Sequence, residues 1–299
     1  MEIRLLKYFL AIAREENITK AAELLHISQP SLSVQLKELE KEIGKELIIR
    51  GKRKITLTDE GILLKKRAEE IISLVEKTEK ELINDSFDIS GDIAIGSGET
   101  EGINMLLNII SELKKQYPNI HYHLFSGDAE AITERIDKGL LDFGILIEPV
   151  DITKYNRIKL NINDIWGLLI KDDYLLPDKK IIEPNDLLNI PLITPNRSGL
   201  KLEISSWLKK DNTNLNIIAT YNLINHATTL VKHNFGNALV LNNLIKDIDT
   251  DGLKFYPLHP KIEVEFSFVW KKYQVFTKAQ EKFLNTVIKQ TNISNIKIR

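Results

Sequence analysis

The chain has 299 residues, with 41 basic and 42 acidic side chains, a formal net charge of −1 and no cysteine. A usual single domain has roughly 100–200 residues, so we expect two or more folding units. The even charge balance argues against a generally basic nucleic-acid-binding protein and leaves only local clusters of charge to consider. The lack of cysteine excludes disulfides, thiol nucleophiles and cysteine metal sites, and it fits a reducing compartment.

Membrane and export signals are not visible in this sequence. Its apolar runs fall short of the ~18 residues that a membrane span needs. The first residues, MEIRLLKYF, carry charges and lack a cleavage-site pattern. We therefore expect a protein that neither crosses nor binds a membrane.

Residues 1–44 predict three short helices. Thr19 is expected to cap the second helix and Ser28 the third, in which Pro30 is tolerated in the first turn. Gly44 is expected to end the third helix. Apolar residues recur along that helix in steps of four and three, and they form its inward face: Leu32, Leu36, Leu39 and Ile43.

The second and third helices have the layout of a helix-turn-helix, whose second helix enters the major groove of DNA. Successive residues of an α-helix are rotated by 100°. This rotation places the following side chains of the third helix on its outward side: Pro30, Ser33, Val34, Lys37 and Lys41. The next segment, LIIRGKRKITLT, predicts a hairpin whose basic turn can grip phosphates, with Arg50, Lys52, Arg53 and Lys54. The alternative is a small helical unit with a hydroxyl-rich surface and a solvated run of charge.

A long helix is predicted from Thr58, its cap, to about residue 84. Its seam residues alternate in steps of four and three, as in a coiled coil: Leu64, Ala68, Ile71, Val75, Thr78 and Leu82. With nothing of its own chain alongside, this helix is expected to need a partner helix. The alternative is a solvated amphipathic helix that packs on its own domain.

After the polar break NDSFDISGD, β-rich runs alternate with helical stretches, which predicts a parallel sheet built from βαβ units. The runs are IAIGSG, IHYHLF, FGILI, IWGLLI, PLIT, LNIIAT, ALVL and VEFSFVW. Helical stretches include residues 100–116 and 129–138, and a last helix is predicted across residues 277–290.

From NITKAAELLHISQPSLSVQLKELEKEIGKELIIR through GKRKITLTDEG, the chain resembles the LysR-type transcriptional regulators. The SQPSLS core, the LEKEIGKEL stretch and the LTDEG ending stand in that family's order and spacing. The later stretches GLLDFGIL and LVKHNFGNALVL resemble the family more loosely. Asn234 stands where a glycine is common and Asn242 where a proline is usual.

The resemblance implies a fold of mixed class, α+β followed by α/β. A winged helix-turn-helix would occupy residues 1–58, and a dimerising linker helix residues 59–86. Residues 91–299 would form a two-lobed α/β effector-binding domain similar to periplasmic binding proteins. Its first lobe would comprise residues 91–161 and 267–299, and its second lobe residues 162–266.

The resemblance also implies partners and DNA contacts. It implies a cytoplasmic homotetramer, without a cofactor, that binds an interrupted dyad of double-stranded DNA near a promoter and a small-molecule effector. RNA polymerase is a further candidate partner. The residues that it places at DNA are Ser28, Gln29, Ser31, Ser33 and Gln35, flanked by Arg50, Lys52, Arg53 and Lys54. The outward-facing Pro30, Val34 and Lys37 complete this candidate interface.

Val34 departs from the family, which often has arginine at this position. Valine cannot contact guanine or phosphate, but it can pack on a thymine methyl group. We therefore hypothesise that Val34 shifts the recognised half-site towards A·T-rich sequence.

Ligands of open α/β sheets lie beyond the carboxyl ends of strands, where helix amino ends present unpaired amides. The candidate residues at such ends are Ser97, Gly98, Glu99, Thr100, Ser126, Gly127, Thr194, Pro195 and Asn222. The resemblance places the first of these loops in the effector cleft. Acids at the rims, Glu99, Glu101 and Asp128, disfavour a plain anion unless Arg197 turns inward. An uncharged, zwitterionic or hydroxylated molecule suits the cleft at least as well, and the alternative is that the acids only cap helices.

Enzymatic and metal chemistry have little support. The pairs His121 with His123 and His226 with His233 lack a third ligand at a telling spacing, so ordinary histidines are favoured over a metal site. No HExxH, GxSxG or phosphate-binding loop is present, and no nucleophile has an evident base. The three tryptophans lie in apolar runs that favour core packing. Two rivals remain: a constitutive DNA-binding protein whose effector domain serves only assembly, and a solute-binding protein or enzyme.

Overall fold

The computed structural model describes most of the chain. The described residues are 1–51, 54–83, 89–98, 100–172, 180–188, 190–197, 200–208, 215–246 and 248–291, without the side chains of Arg50, Lys80, Ile83, Lys201 and Leu202. The chain forms two compact units, an N-terminal unit, Met1–Asp85, and a C-terminal unit, Ser86–Arg299.

The N-terminal unit is a winged helix-turn-helix followed by a long helix. Its elements are α1 (Ile3–Glu15), α2 (Ile18–Leu24), α3 (Gln29–Ile43), β1 (Ile48–Arg50), β2 (Ile55–Leu57) and α4 (Asp59–Ile83). The first three helices and β1 bury one apolar cluster, which includes Phe9, Ile12 and Leu36. The strands β1 and β2 pair antiparallel, with Ile49 opposite Thr56. The predicted helix-turn-helix and hairpin are confirmed.

Caps define where these helices begin and end. The Ser28 side chain accepts a hydrogen bond from the Ser31 amide, and Gly44 adopts a left-handed φ of 74°, so both predicted ends of α3 are confirmed. The prediction for α2 is wrong, because the Asn17 side chain caps it and receives the amide of Thr19 at 2.9 Å. Ile43 was expected inward but is 37% exposed, so the buried face of α3 ends one turn earlier.

Helix α4 lies partly against its own unit. The Thr58 hydroxyl receives the Gly61 amide at 3.0 Å, which confirms this residue as the start of the helix. Ala68 and Ile72 are buried with Leu6 of α1. The expectation that nothing of its own chain lies alongside the helix is therefore wrong for its first turns, because α1 covers them. Further along, Leu82 is 76% exposed.

The C-terminal unit alternates strands and helices. Its strands are β3 (Gly91–Ser97), β4 (Ile120–Ser126), β5 (Phe143–Ile147), β6 (Tyr155–Lys171), β7 (Leu192–Pro195), β8 (Ile217–Tyr221), β9 (Asn237–Leu241), β10 (Leu253–Pro257) and β11 (Glu263–Lys271). Its helices are α5 (Glu101–Gln116), α6 (Ala129–Asp137), α7 (Pro184–Leu187), α8 (Leu200–Leu208), α9 (Ile224–Lys232) and α10 (Lys278–Gln290), with a 3₁₀ turn at Asn243–Ile245.

The described strands of this unit form a mixed sheet, not the all-parallel one that the alternation predicts. The order is β4-β3-β5-β11-β6-β9-β7-β8, and β10 pairs with β6. Strands β3, β4 and β5 are parallel, as are β7, β8 and β9, which agrees with βαβ units. The long strands β6 and β11 run antiparallel between the two groups. Strand β11, which comes late in the chain, lies between β5 and β6 and runs antiparallel to both.

Strand β6 begins ten residues before the run in which the sequence predicted a strand, at Tyr155 instead of Ile165. Its first half pairs with the second half of β11, and the register shifts between Glu265 and Phe266. The first half of β6 alternates buried with more exposed residues, whereas residues 166–170 in its second half are continuously buried. The second half has the apolar run of a fully buried strand, and the first half has the alternation of a half-buried one, which the sequence analysis overlooked.

Candidate nucleic-acid interface and ligand cleft

The amino end of α3 presents small polar side chains. Ser28, Gln29, Pro30 and Ser31 are exposed where the helix begins. Leu32 is buried in the core, so the residues on the opposite side of the first two turns face outward. The side of α3 opposite Leu32 carries Pro30, Val34 and Lys37, and the other predicted residues flank that side or stand where the helix begins.

Hydrogen bonds order that side of α3. The Gln29 amide donates to the Ser33 hydroxyl at 2.8 Å, and the Gln35 amide donates to Glu38 at 3.1 Å. Val34 lies between these groups and is 61% exposed. Ser33 and Gln35 are half-buried, and Lys37 is exposed. Amide and hydroxyl groups in this arrangement can donate to and accept from base edges in a major groove, while Val34 offers an apolar contact.

The hairpin turn joins β1 to β2. The Gly51 amide donates to the Lys54 carbonyl at 3.0 Å and closes the turn. The Lys54 ammonium lies 2.5 Å from a Glu16 carboxylate oxygen, so its charge is partly compensated within the unit. The side chain of Arg50 and all of Lys52 and Arg53 lie outside the described residues, so these predicted contacts stay predictions.

A cavity of about 300 Å³ opens in the C-terminal unit where strands end and helices begin. Predicted ligand residues that line it are Gly98, Thr100, Ser126, Gly127, Pro195 and Asn222. Ser97 and Thr194 are buried beside it and are not among the described lining residues. The Ser97 hydroxyl instead donates to the Gly98 carbonyl at 2.7 Å. Glu99 lies outside the described residues.

Helix amino ends meet at this cavity. Thr100 is the N-cap of α5 but makes no side-chain cap bond, and its buried hydroxyl has no hydrogen-bond partner in the described part of the chain. An uncapped first turn leaves amides that can receive an acceptor. Asp128, in contrast, caps α6 and accepts the Ala131 amide at 2.8 Å. For this acid, the alternative that it caps a helix is confirmed.

Apolar side chains form most of the cavity wall, and the sequence reasoning missed them. They include Ile132, Ile145, Ile147, Trp166, Tyr221, Ile224, Leu241 and Leu244. Trp166 is buried in the core, as predicted, yet it also borders the cavity. No local signal separates such residues from ordinary core residues, since both kinds occur in the same apolar runs.

Arg197 turns inward at the cavity. Its Nη2 lies 3.0 Å from Glu203 Oε1, and its Nη1 donates to Glu203 Oε2 at 3.4 Å. Nη2 also donates to the carbonyls of Ile147 and Glu148 at 3.2 and 2.9 Å. Arg197 follows β7 and the two carbonyls follow or end β5, so this side chain connects two separate strand ends.

Burial governs the ionisation of this pair. Desolvation lowers the pKa of Arg197, and the Glu203 carboxylate opposes that shift. Desolvation raises the pKa of Glu203, and Arg197 opposes it. Each charge therefore makes the burial of the other tolerable.

Within the described part of the chain, the two histidine pairs are not joined by further side chains that could complete a metal site. His121 and His123 lie 3.8 and 3.5 Å from an Asp92 oxygen and are largely exposed. Across the residues that the structure describes, no group of three histidine, cysteine or acidic side chains is arranged to hold a metal. None of the described helices is long and apolar enough to span a membrane.

Two family profiles match the chain. The profile described as bacterial regulatory helix-turn-helix protein, lysR family, matches residues 3–62. The profile described as LysR substrate binding domain matches residues 88–292.

Curated relatives are similar over nearly the whole length. The chain is 29% identical to a probable RuBisCO transcriptional regulator of Phaeodactylum tricornutum, over 97% of this chain and 96% of that protein. It is 28% identical to the Hca operon transcriptional activator HcaR of Escherichia coli, over 91% and 92% of the two chains. Relatives of this kind are named as regulators of transcription.

Solved structures share the fold. Full-length CbnR complexed with its target DNA has a TM-score of 0.74 at 20% identity, covering 97% of this chain and 99% of that one. Full-length BenM has a TM-score of 0.54 at 24% identity, covering 99% of both chains.

Proposed function

Because the chain belongs to the LysR family of bacterial transcriptional regulators, we propose that it reads an interrupted dyad of promoter DNA through α3 and responds to a small molecule in the cleft. The observation that carries this proposal is the amino end of α3, where Ser28 caps the helix and polar side chains stay exposed. Residues 1–58 would bind DNA, residues 59–86 would dimerise, and residues 91–299 would bind the effector in two lobes.

The base-reading residues would be those of the exposed side of α3, and the wing would hold phosphates. The set is Ser28, Gln29, Pro30, Ser31, Ser33, Val34, Gln35 and Lys37, with Arg50, Lys52, Arg53 and Lys54 at the backbone. CbnR, which shares the fold, has been solved with its target DNA. Contacts to phosphates would supply affinity and salt dependence, and contacts to base edges would supply selectivity.

Assembly would pair two chains through α4. Ile71, Leu74 and Leu82 are exposed apolar residues of this helix, and a second α4 would bury them. We further propose a cytoplasmic homotetramer, with RNA polymerase as a later contact. Half-sites would then lie on one face of the duplex, one helical turn or a multiple apart.

The effector would shift the population between two arrangements of the assembly, since a ligand acts only through different affinities for two states. Gly98, Thr100, Ser126, Gly127, Pro195 and Asn222 would border it, with Ser97, Glu99 and Thr194 behind or beside them. A constitutive DNA-binding protein is the rival. Screening metabolites by thermal shift separates the two, because a ligand of the folded state raises the melting temperature.

The proposal is tested by titrating the full-length protein with a duplex from its own upstream region at several salt concentrations. We expect tight binding, and the logarithm of the association constant should fall linearly with the logarithm of the salt concentration. Replacing Lys37 by glutamine should reduce that slope by about one if this residue meets a phosphate. A protein that retains no duplex oligonucleotide in a salt-sensitive manner, with Ser33 and Arg50 intact, would overturn the proposal.

A further inference from the structure

We propose that the cleft accepts an uncharged, largely apolar ligand, and that the buried pair of Arg197 and Glu203 excludes anionic ligands. This inference rests on the proposed function, in which the cleft holds the effector. It goes beyond that function because it assigns the chemical class of the ligand and names a specificity-determining residue, Glu203, that lies outside the described lining of the cavity.

Charge in the cavity wall is scarce. Of the described residues that line it, Asp128 and Arg197 are the charged ones, and Arg197 is the cation. An anionic ligand would therefore depend on Arg197 for charge compensation. Asp128 would oppose such a ligand, because its carboxylate stays at the rim as the cap of α6.

The Arg197 guanidinium is already paired with protein groups. Both terminal nitrogens contact Glu203, and Nη2 also donates to two backbone carbonyls, of Ile147 and Glu148. The side chains of Arg197 and Glu203 are only 10% and 11% exposed. Water therefore screens the pair poorly, and the negative charge of Glu203 cancels most of the positive potential that Arg197 would offer to a ligand.

An anion has two ways to approach, and both are unfavourable. Beside the intact pair, it would place a second carboxylate near one guanidinium in a poorly hydrated site, where like charges repel strongly. By displacing Glu203, it would leave that carboxylate buried without its partner. A neutral ligand avoids both costs.

The remaining wall suits a neutral molecule. Most of it is apolar and includes Phe125, Ile132, Leu241 and Leu244. The buried Thr100 hydroxyl, which has no partner among the described residues, can give or receive one hydrogen bond. An apolar body with one neutral polar group thus matches both features.

Benzamide and benzoate provide a matched test, because they share one ring and differ in charge. Calorimetric titration of the full-length protein should show benzamide binding about tenfold or more tightly than benzoate. Glu203→Gln keeps the size of the side chain and removes its charge. In this variant, benzoate affinity should rise about tenfold, because Glu203 no longer compensates the positive charge of Arg197, and benzamide affinity should stay within about threefold.

The matched control is Glu281→Gln, which removes one exposed carboxylate at the start of α10 and should leave both affinities unchanged. A double variant, Arg197→Met with Glu203→Met, covers the case in which Glu203→Gln fails to fold, since apolar replacement of a buried ion pair is often tolerated. This double variant should keep the preference of the wild type for benzamide, because it has neither the cation on which an anion would depend nor a change in the remaining apolar wall.

Three results would overturn the inference. They are wild-type binding of benzoate as tight as that of benzamide, no gain of benzoate affinity in Glu203→Gln, and selective loss of benzoate binding in the double variant. If neither probe binds the wild type, the test is whether Glu203→Gln binds benzoate. Binding of benzoate by this variant supports the inference, and no binding overturns it. Salt-dependent DNA binding, measured on the same samples, separates this failure from failure of the proposed function.

Discussion

Asp142 and Ala94 are joined by two reciprocal hydrogen bonds. The Asp142 carboxylate accepts the Ala94 amide at 2.7 Å, and the Asp142 amide donates to the Ala94 carbonyl at 2.8 Å. Asp142 is 1% exposed. These bonds tie the start of β5 to the middle of β3, and both strands lead to the ligand cleft. The aspartate of the GLLDFGIL stretch therefore has a structural role.

Asp142→Ala should lower the free energy of unfolding of the C-terminal unit by about 1–3 kcal/mol, because the partly buried Ala94 amide loses its acceptor. Urea unfolding followed by tryptophan fluorescence measures this, since Trp166, Trp207 and Trp270 all belong to that unit. Asp142→Asn retains an acceptor oxygen and should lose less. Equal stability of Asp142→Ala and the wild type would contradict this role.

Gly61 stands in the first turn of α4, where a β-carbon would collide with the carbonyl oxygen of Leu47 and lie 3.3 Å from the Leu57 β-carbon. Gly61→Ala should therefore destabilise the N-terminal unit by about 1–3 kcal/mol and weaken DNA binding. Circular dichroism melts and duplex titration measure the two effects. The neighbouring exposed residue supplies the control, and Glu60→Ala should change stability little. An unchanged melting temperature for Gly61→Ala would show that the backbone around Leu47 moves aside without a loss of stability.

Val34 is exposed in the middle of the candidate base-reading side of α3. Val34→Arg should change the preferred half-site towards guanine, because arginine can pair with that base at about 1–3 kcal/mol of discrimination whereas valine packs on thymine methyl groups. Selection of binding sites from random duplexes measures the change. Leu24→Arg adds the same charge at an exposed apolar position of α2 and should leave the consensus unaltered. Identical consensus sequences for Val34→Arg and the wild type would rule the hypothesis out.

Asp164 is a buried carboxylate that accepts the amides of Ile165 and Asn243. Burial raises its pKa, while these bonds and Lys246 oppose the shift. A raised pKa in the folded state means that its contribution to stability is full below the unfolded pKa and is lost as the pH rises through the folded pKa.

Asp164→Asn keeps an acceptor oxygen and removes that titration. The free energy of unfolding of Asp164→Asn minus that of the wild type should therefore increase as the pH rises from about 3.5 to 7. Urea unfolding at several pH values, followed by tryptophan fluorescence, measures the difference. A difference that stays flat or decreases over this range would show that the hydrogen bonds outweigh burial at Asp164.

Local signals predicted the elements that depend on local physics. Ser28 and Gly44 mark the ends of α3. The Ser28 side chain accepts an amide only three residues away, and Gly44 needs only its own left-handed backbone conformation to end the helix. The same reasoning chose Thr19 over Asn17 for α2, since both residue types can cap and their order along the chain does not decide between them. The first half of β6 was missed although Ile158, Leu160 and Ile162 alternate with polar residues, a period that is itself typical of a half-buried strand.

The cleft was predicted in outline because its loops follow β-rich runs, and strand ends are a general place for ligands. Its apolar wall was not predicted, because Trp166 and Leu241 look like any other core residues along the chain. The partner of Arg197 is Glu203, six residues further on, yet its other two partners are carbonyls some fifty residues earlier. Such a contact depends on how β5 and β7 are placed.

Hydrophobic periodicity and capping act over a few residues, and these local signals were enough to predict the helix-turn-helix, the long helix and the alternation of strands and helices. The mixed order of the sheet, the side of α4 that α1 covers and the neutralisation of the cation in the cleft became apparent only from the folded arrangement. These features depend on distances between residues that are remote in sequence, and the balance of burial against charge there follows from packing.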